Sequence, residues 1–335
     1  MNNIAFFIGS VCVTWHGILM ALGVLAAILS AVMLRRLQRL PMLPVLASCV
    51  VGCVLIPLLS RFVYWYCSYE QYKSLWAALT TPSAGGQSMI GAITGVLLSV
   101  LIAYKLTLST DPQMTLGELY DCILPSGVIG VAVGRLAGLF DSADKGKAIV
   151  TNEAFQKLPF SVAVSDVYTG ETSYRLAVFL VEAAAALGIY TVSLIVFRKL
   201  YCVERSHYSG SDAGLIALSL YLASQCVFDS MKYDALFLRS NGFVCLMQIF
   251  GLVILLVCGI LAAVRAARRG DFKSGDKNPF ILLFSSVLLL TQAGYMEYYV
   301  QRHGNLWPLC YAVMFIGLVG ISVITLLLLR TPDEY

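Results

Sequence analysis

The sequence predicts an all-α polytopic membrane protein of about nine transmembrane helices. Three observations predict it. Of the 335 residues, 59% are hydrophobic and 13% charged, whereas a soluble globular domain is about half apolar and about a quarter charged. The mean hydropathy is +0.80. The apolar excess is also not spread evenly. It falls in long runs, and a spanning helix needs ~20 mostly apolar residues.

Taken in order, the runs cover residues 11–34, 42–60, 88–104, 121–140, 174–197, 213–228, 242–264, 279–298 and 306–329. The fourth and sixth are the weakest, because polar residues interrupt or bound them. No Lys or Arg precedes the first run, so a cleavable signal peptide is not expected there.

Basic residues in the loops set the expected orientation. The densest clusters are RRLQR after the first run and RAARRGDFKSGDK after the seventh. An odd number of spans separates them from the N-terminus, so both fall inside if the N-terminus is outside. Two outer segments are longer than connectors. Residues 61–87 carry Tyr64, Trp65, Tyr66, Tyr69, Tyr72 and Trp76, aromatics that favour the headgroup layer. Residues 141–173 are polar and read as a small external cap.

Composition also narrows the chemistry. A net charge of +4 lacks the clustered basic load of a nucleic-acid binder, so no nucleic-acid partner is expected. The 10 Cys form no CxxC pair, and the three His form no HExxH-type cluster, so neither a metal nor another cofactor is expected.

Charged groups at membrane depth are costly, by about 2.5–3.5 kcal/mol on insertion scales, and so point to function. Arg135 lies in VIGVAVGRLAGLFD, among Gly127, Gly130, Gly134 and Gly138. Such glycines let a helix or a lipid headgroup come close. The guanidinium suits bidentate phosphate capture, or it snorkels to the interface. Glu182, in the fifth run, is placed to pair with a base or to bond another helix. Asp229 and Lys232 are three apart and can share a helix face. His16, after Trp15, reads either as a proton acceptor or as a belt residue. Gly85 and Gly86, just ahead of Ser88 at the third run, can offer backbone N–H groups to an anion.

In order, these segments resemble the prolipoprotein diacylglyceryl transferase family. TWHGILMALGVLAA resembles its opening helix, and SRFVYWYCSY its next arginine-bearing segment. GGQSMIGAITGV stands where the family has its His-Gly-Gly motif. DCILPSGVIGVAVGRLAGLFDSADKG resembles its Gly-Arg signature. LYLASQCVFDSMKYD and FVCLMQIFGLVIL resemble its last two motifs. The resemblance covers about residues 10–265. It implies a seven-helix transferase-like core over residues 1–265. Residues 266–335 would add a basic loop and two further spans.

The family moves the diacylglyceryl group of phosphatidylglycerol onto a lipobox cysteine thiol of a secreted precursor. The resemblance therefore implies a phospholipid and lipoprotein precursors as partners, in a bacterial cytoplasmic membrane. Residue by residue, Gly134 and Arg135 match the signature. Gly138 replaces its first Asn and Asp141 falls at its second. Tyr221 matches the late Tyr, and Asp229, Lys232 and Asp234 answer its Glu, Arg and Asp. His16 replaces the opening Tyr, Ile90 the motif His, and Gln225 an Arg. Arg135, His16 and Tyr221 are the expected catalytic groups, with Gly85, Gly86, Ser88, Gly134, Gly138, Asp141, Asp229, Lys232 and Asp234 at the substrate. The alternative is a lipid-binding accessory homologue that has lost catalysis.

Overall fold

In the computed structural model the described residues are 4–9, 11–68, 74–80, 86–110, 112–140, 145–147, 149–165, 172–203, 211–233, 235–237, 244–269, 278–304 and 306–329. Among them, nine helices are long and apolar enough to cross a membrane. They are α1 (Trp15–Gln38), α2 (Met42–Cys67), α4 (Met89–Thr107), α5 (Leu116–Gly134), α7 (Val178–Arg198), α8 (Asp212–Met231), α9 (Leu246–Arg269), α10 (Pro279–His303) and α11 (Trp307–Leu329). Short helices α3 (Leu75–Thr80) and α6 (Glu153–Gln156) lie between them.

Each expected span has its helix, and the boundaries shift for local reasons. Residues 11–14 form strand β2 (Val11–Thr14), which pairs antiparallel with β1 (Ile4–Ile8). The helix starts only after Thr14, whose hydroxyl accepts from Gly17 N at 3.1 Å and caps it. α5 begins before Asp121 because Thr115 and Glu118 close a reciprocal capping box. α2 runs on to Cys67, so Tyr64, Trp65 and Tyr66 lie on a helix end rather than in a loop. The cap holds α6 and the hairpin of β3 (Ser161–Ser165) and β4 (Thr172–Leu176).

The sixth span is weak in hydropathy because protein, not lipid, surrounds it. In α8 78% of the most apolar stretch is buried, against 17–44% for the other eight. A helix hidden on all sides need not be greasy all round, so it can carry polar side chains toward its neighbours. α11 packs on this same helix and on α9, α10 packs on α9 and α11, and their buried residues Ala293, Tyr311 and Met314 join its core cluster.

Glycines set the closest crossings. A β-carbon at Gly23 of α1 would lie 2.6 Å from the Gly130 carbonyl oxygen of α5. One at Gly91 of α4 would collide with the Leu59 carbonyl of α2. Small residues at such contacts let backbones meet, which maximises dispersion where lipid removes the hydrophobic drive. After Gly134 the chain tightens into a 3-10 turn, Arg135–Phe140. Trp15 stacks on Phe140 at 6.0 Å, so the turn lies at the face of the bundle where α1 begins. That face is called the entry face below.

Candidate functional site

At the entry face three helices deliver charge to one buried point. Arg135 caps the C-terminus of α5, Glu182 sits one turn into α7, and Lys232 caps the C-terminus of α8. Arg135 Nε lies 3.1 Å from Glu182 Oε2, and Lys232 Nζ lies 2.9 Å from Glu182 Oε1. Asp229 Oδ1 is 4.0 Å from the same ammonium. The Glu182 side chain is 0% exposed, Lys232 5%, and Arg135 and Asp229 15% each. Both cations therefore meet the two oxygens of one carboxylate in a nearly dry site, with Arg135 and Asp229 its more exposed members.

The local sequence explains the convergence. Gly138 has no side chain where Phe179 presses in, and a β-carbon there would lie 2.6 Å from Phe179 Cγ. That contact brings the start of α7 against the 3-10 turn, and Glu182 is three residues on from Phe179. On α8, Tyr221, Gln225, Asp229 and Lys232 recur at helical steps of four, four and three, which puts them on one stripe. Tyr221 is buried, with Arg135, Glu182 and Lys232 as its electrostatic neighbours and its hydroxyl against the Arg135 side chain. Gln225 is buried, and its amide oxygen closes no hydrogen bond among the described residues.

Such a cluster can hold an anion. A guanidinium and an ammonium from separate helices already aim at one two-oxygen group, which is the geometry a phosphodiester presents. Among the described residues, no group of three His, Cys, Asp or Glu converges as a metal site would require.

The family model for prolipoprotein diacylglyceryl transferase matches residues 3–265. The chain belongs to this family. Its relatives include a phosphatidylglycerol–prolipoprotein diacylglyceryl transferase of Clostridium kluyveri, 26% identical over 69% of this chain and 87% of that protein. One of Clostridium perfringens is 25% identical over 82% of this chain and 97% of the relative. Another, from Clostridium botulinum, is 23% identical over 76% and 96%. Helices α10 and α11 lie beyond the residues that the diacylglyceryl transferase model matches.

Of the residues singled out for a transferase site, Arg135, Lys232 and Asp229 meet at the cluster and Tyr221 is their neighbour. His16 is half-buried in the first turn of α1, one residue from the Trp15 that stacks on the 3-10 turn. Gly134 faces Met20 Sδ at 3.4 Å and Gly138 faces Phe179, so both act as spacers between helices. Ser88 is buried, and its N–H donates to Ser60 O at 3.1 Å. That N–H is therefore committed and not offered to an anion. Gly86 takes φ +76°, and a β-carbon there would strike the Tyr64 ring. Gly85, Asp141 and Asp234 lie outside the described residues.

Two polar networks escaped the sequence reading. Asp121 is fully enclosed and accepts from Tyr201 Oη at 2.6 Å, Ser211 N at 2.8 Å and Gly214 N at 2.6 Å. Glu297 of α10 accepts from Ser230 Oγ at 2.7 Å and Gln301 Nε2 at 2.8 Å, and Ser230 also lies 3.1 Å from Tyr311 Oη. Ser230 is two residues from Lys232, so α10 and α11 brace the helix end that carries the site. The only sequence signal for either network was an acid inside an apolar run.

Proposed function

We propose that this chain is a phosphatidylglycerol–prolipoprotein diacylglyceryl transferase. It lies in the bacterial cytoplasmic membrane with its N-terminus and the Arg135 cluster on the outer side. The observation that carries the reading is the convergence of Arg135 and Lys232 on a single buried carboxylate. It is joined by the names of the relatives.

In this reading the headgroup phosphate takes the place of the Glu182 carboxylate between the two cations. Arg135 grips two phosphate oxygens with its fork and Lys232 neutralises a third. A lipobox thiolate attacks the glyceryl carbon that bears the phosphate. The carbon–sulfur bond forms, the carbon–oxygen bond breaks, and glycerol phosphate leaves. Charge develops on the leaving oxygen, where two preorganised cations in a water-poor site stabilise it most. Tyr221 and His16 line the approach, and Asp229 keeps Lys232 in place.

The test is transfer from phosphatidylglycerol to a synthetic lipobox peptide by the purified full chain in lipid nanodiscs. Arg135→Ala should lower turnover by about 10²–10³-fold, the usual cost of one preorganised charge donor. A wild-type chain without activity, or an Arg135→Ala chain with full activity, rejects the proposal. One observation favours an accessory homologue instead. Position 90 is a buried Ile in the apolar core, with no proton acceptor. A large gain of transfer on Ile90→His with Gln225→Arg would support that second reading.

A further inference from the structure

We infer that Glu182 is the general base that deprotonates the acceptor thiol, released for that task when lipid phosphate takes over its two cations. The inference rests on the proposed transferase reading, in which Arg135 and Lys232 receive the phosphate.

The way Glu182 is held supports it. Its carboxylate is 0% exposed and touches both cations, at 3.1 Å and 2.9 Å. Yet neither oxygen closes an aligned hydrogen bond among the described residues. A carboxylate that serves as scaffold looks different: Asp121 accepts three short, directed bonds. Glu182 is held by charge rather than by direction, so its partners can be exchanged for a phosphate without breaking a bonded frame. Asp229 lies farther from the shared ammonium, at 4.0 Å. Phosphate binding therefore strips Glu182 of both cations that it touches.

The consequence follows from charge. Arg135, Lys232, Glu182 and Asp229 sum to zero when all are ionised. A phosphodiester adds a negative charge beside a carboxylate that has just lost its cations in a low-dielectric site. That carboxylate is now costly as an anion and favourable as an acid. The acceptor supplies the proton. The thiol S–H bond breaks and its proton goes to a Glu182 oxygen. The sulfur lone pair then forms the bond to the glyceryl carbon, and the carbon–oxygen pair leaves on phosphate. The leaving glycerol phosphate is a dianion with a second ionisation near pH 6. It takes the proton from Glu182 as it departs, and the carboxylate returns to Arg135 and Lys232. The thiol proton ends on glycerol phosphate, and no redox partner is needed.

The test uses the full chain in nanodiscs with two acceptor peptides, identical except for cysteine or selenocysteine at the lipobox position. A selenol is already ionised at neutral pH and needs no base. Glu182→Gln should lower kcat about 10²-fold or more with the cysteine peptide, the usual worth of a positioned base. With the selenocysteine peptide kcat should stay close to wild type, and KM for phosphatidylglycerol should not rise with either, because the phosphate no longer competes with a carboxylate for the two cations. Asp229→Asn should lose equally with both peptides. Equal losses with both peptides for Glu182→Gln, or full cysteine activity, overturn the inference. If Glu182→Gln does not fold, Glu182→Asp takes its place, with a loss confined to the cysteine peptide expected and an equal loss overturning. A wild-type chain that modifies neither peptide fails differently: it rejects the transferase reading itself, and this inference with it.

Discussion

Helices α5 and α8 each carry a polar cluster at both ends, and the two ends are built differently. At the far end Asp121 of α5 reaches the first turn of α8. Its three acceptor bonds go to Tyr201 Oη and to the N–H groups of Ser211 and Gly214. There acceptor oxygens meet the N–H groups of the α8 start, where the helix dipole is positive. Arg265 of α9 closes the arrangement, with Nη1 2.6 Å from Asp212 Oδ1 and Nη2 on Ser211 Oγ. At the entry end Arg135 and Lys232 share Glu182 by proximity, and the Glu182 oxygens and the Gln225 amide oxygen close no hydrogen bonds among the described residues. The far end is a clamp with its bonding capacity directed inward. The entry end holds spare capacity beside the cap segment, where Lys147 N–H donates to Met231 O. A buried polar group without its bonds costs stability, and that cost is tolerable where a ligand completes the set.

The hardest test of this contrast is Asp121→Ala. It strands the Tyr201 hydroxyl and two N–H groups, each at about 1–3 kcal/mol, so stability should fall by about 3–5 kcal/mol. Thermal unfolding in detergent would show it as a large drop in Tm, with turnover per folded molecule unchanged. An equal loss of turnover would erase the distinction between clamp and site.

Arg135→Lys probes the other end. It keeps the charge and loses the fork, so transfer should fall by the worth of one charge-assisted bond, about 1.5–3 kcal/mol or roughly ten- to hundred-fold. Tm should stay near wild type. A Tm collapse would mark Arg135 as scaffold.

Glu297→Ala sharpens the picture where α10 meets α8. It leaves Ser230 and Gln301 without their acceptor, at about 1–3 kcal/mol. Deuterium exchange of residues 226–233 should quicken. Glu297→Gln, which keeps an acceptor for Ser230, should restore slow exchange. Unchanged exchange in both would sever α10 from the site.

Smallest of all, Tyr201→Phe removes one of the three donors to Asp121. It should cost about 1 kcal/mol, read as a Tm shift of a few degrees. A loss as large as that of Asp121→Ala would mean that Tyr201 carries the clamp alone.

The nine spans were legible because length and apolarity are properties of single segments. Even the weakness of the sixth was legible, but its cause was not. Only the packing shows α8 enclosed on nearly every side. Arg135 could be singled out from its cost in lipid and its glycine setting. Asp229 and Lys232 could be paired from helical spacing. Gly134 and Gly138 read equally as room for a headgroup or for a helix, and Phe179 and Met20 decide for the helix. For Ser88, expected at the substrate, only the packing shows that its N–H goes to Ser60 O. Asp121 and Glu297 gave only the signal of an acid in an apolar run, because their donors come from segments far along the chain.

By itself the sequence determined that the chain is a multi-pass helical membrane protein of the diacylglyceryl transferase family. Apolar runs of spanning length have no other stable outcome in a bilayer, and ordered motifs survive substitution at single sites. Which charges meet is settled by packing between helices. Glu182 becomes the shared partner of Arg135 and Lys232 because Phe179 packs into the space left by Gly138 and because α8 runs enclosed through the bundle. A helix fixes which face a side chain takes, but only packing against other helices fixes what that face touches.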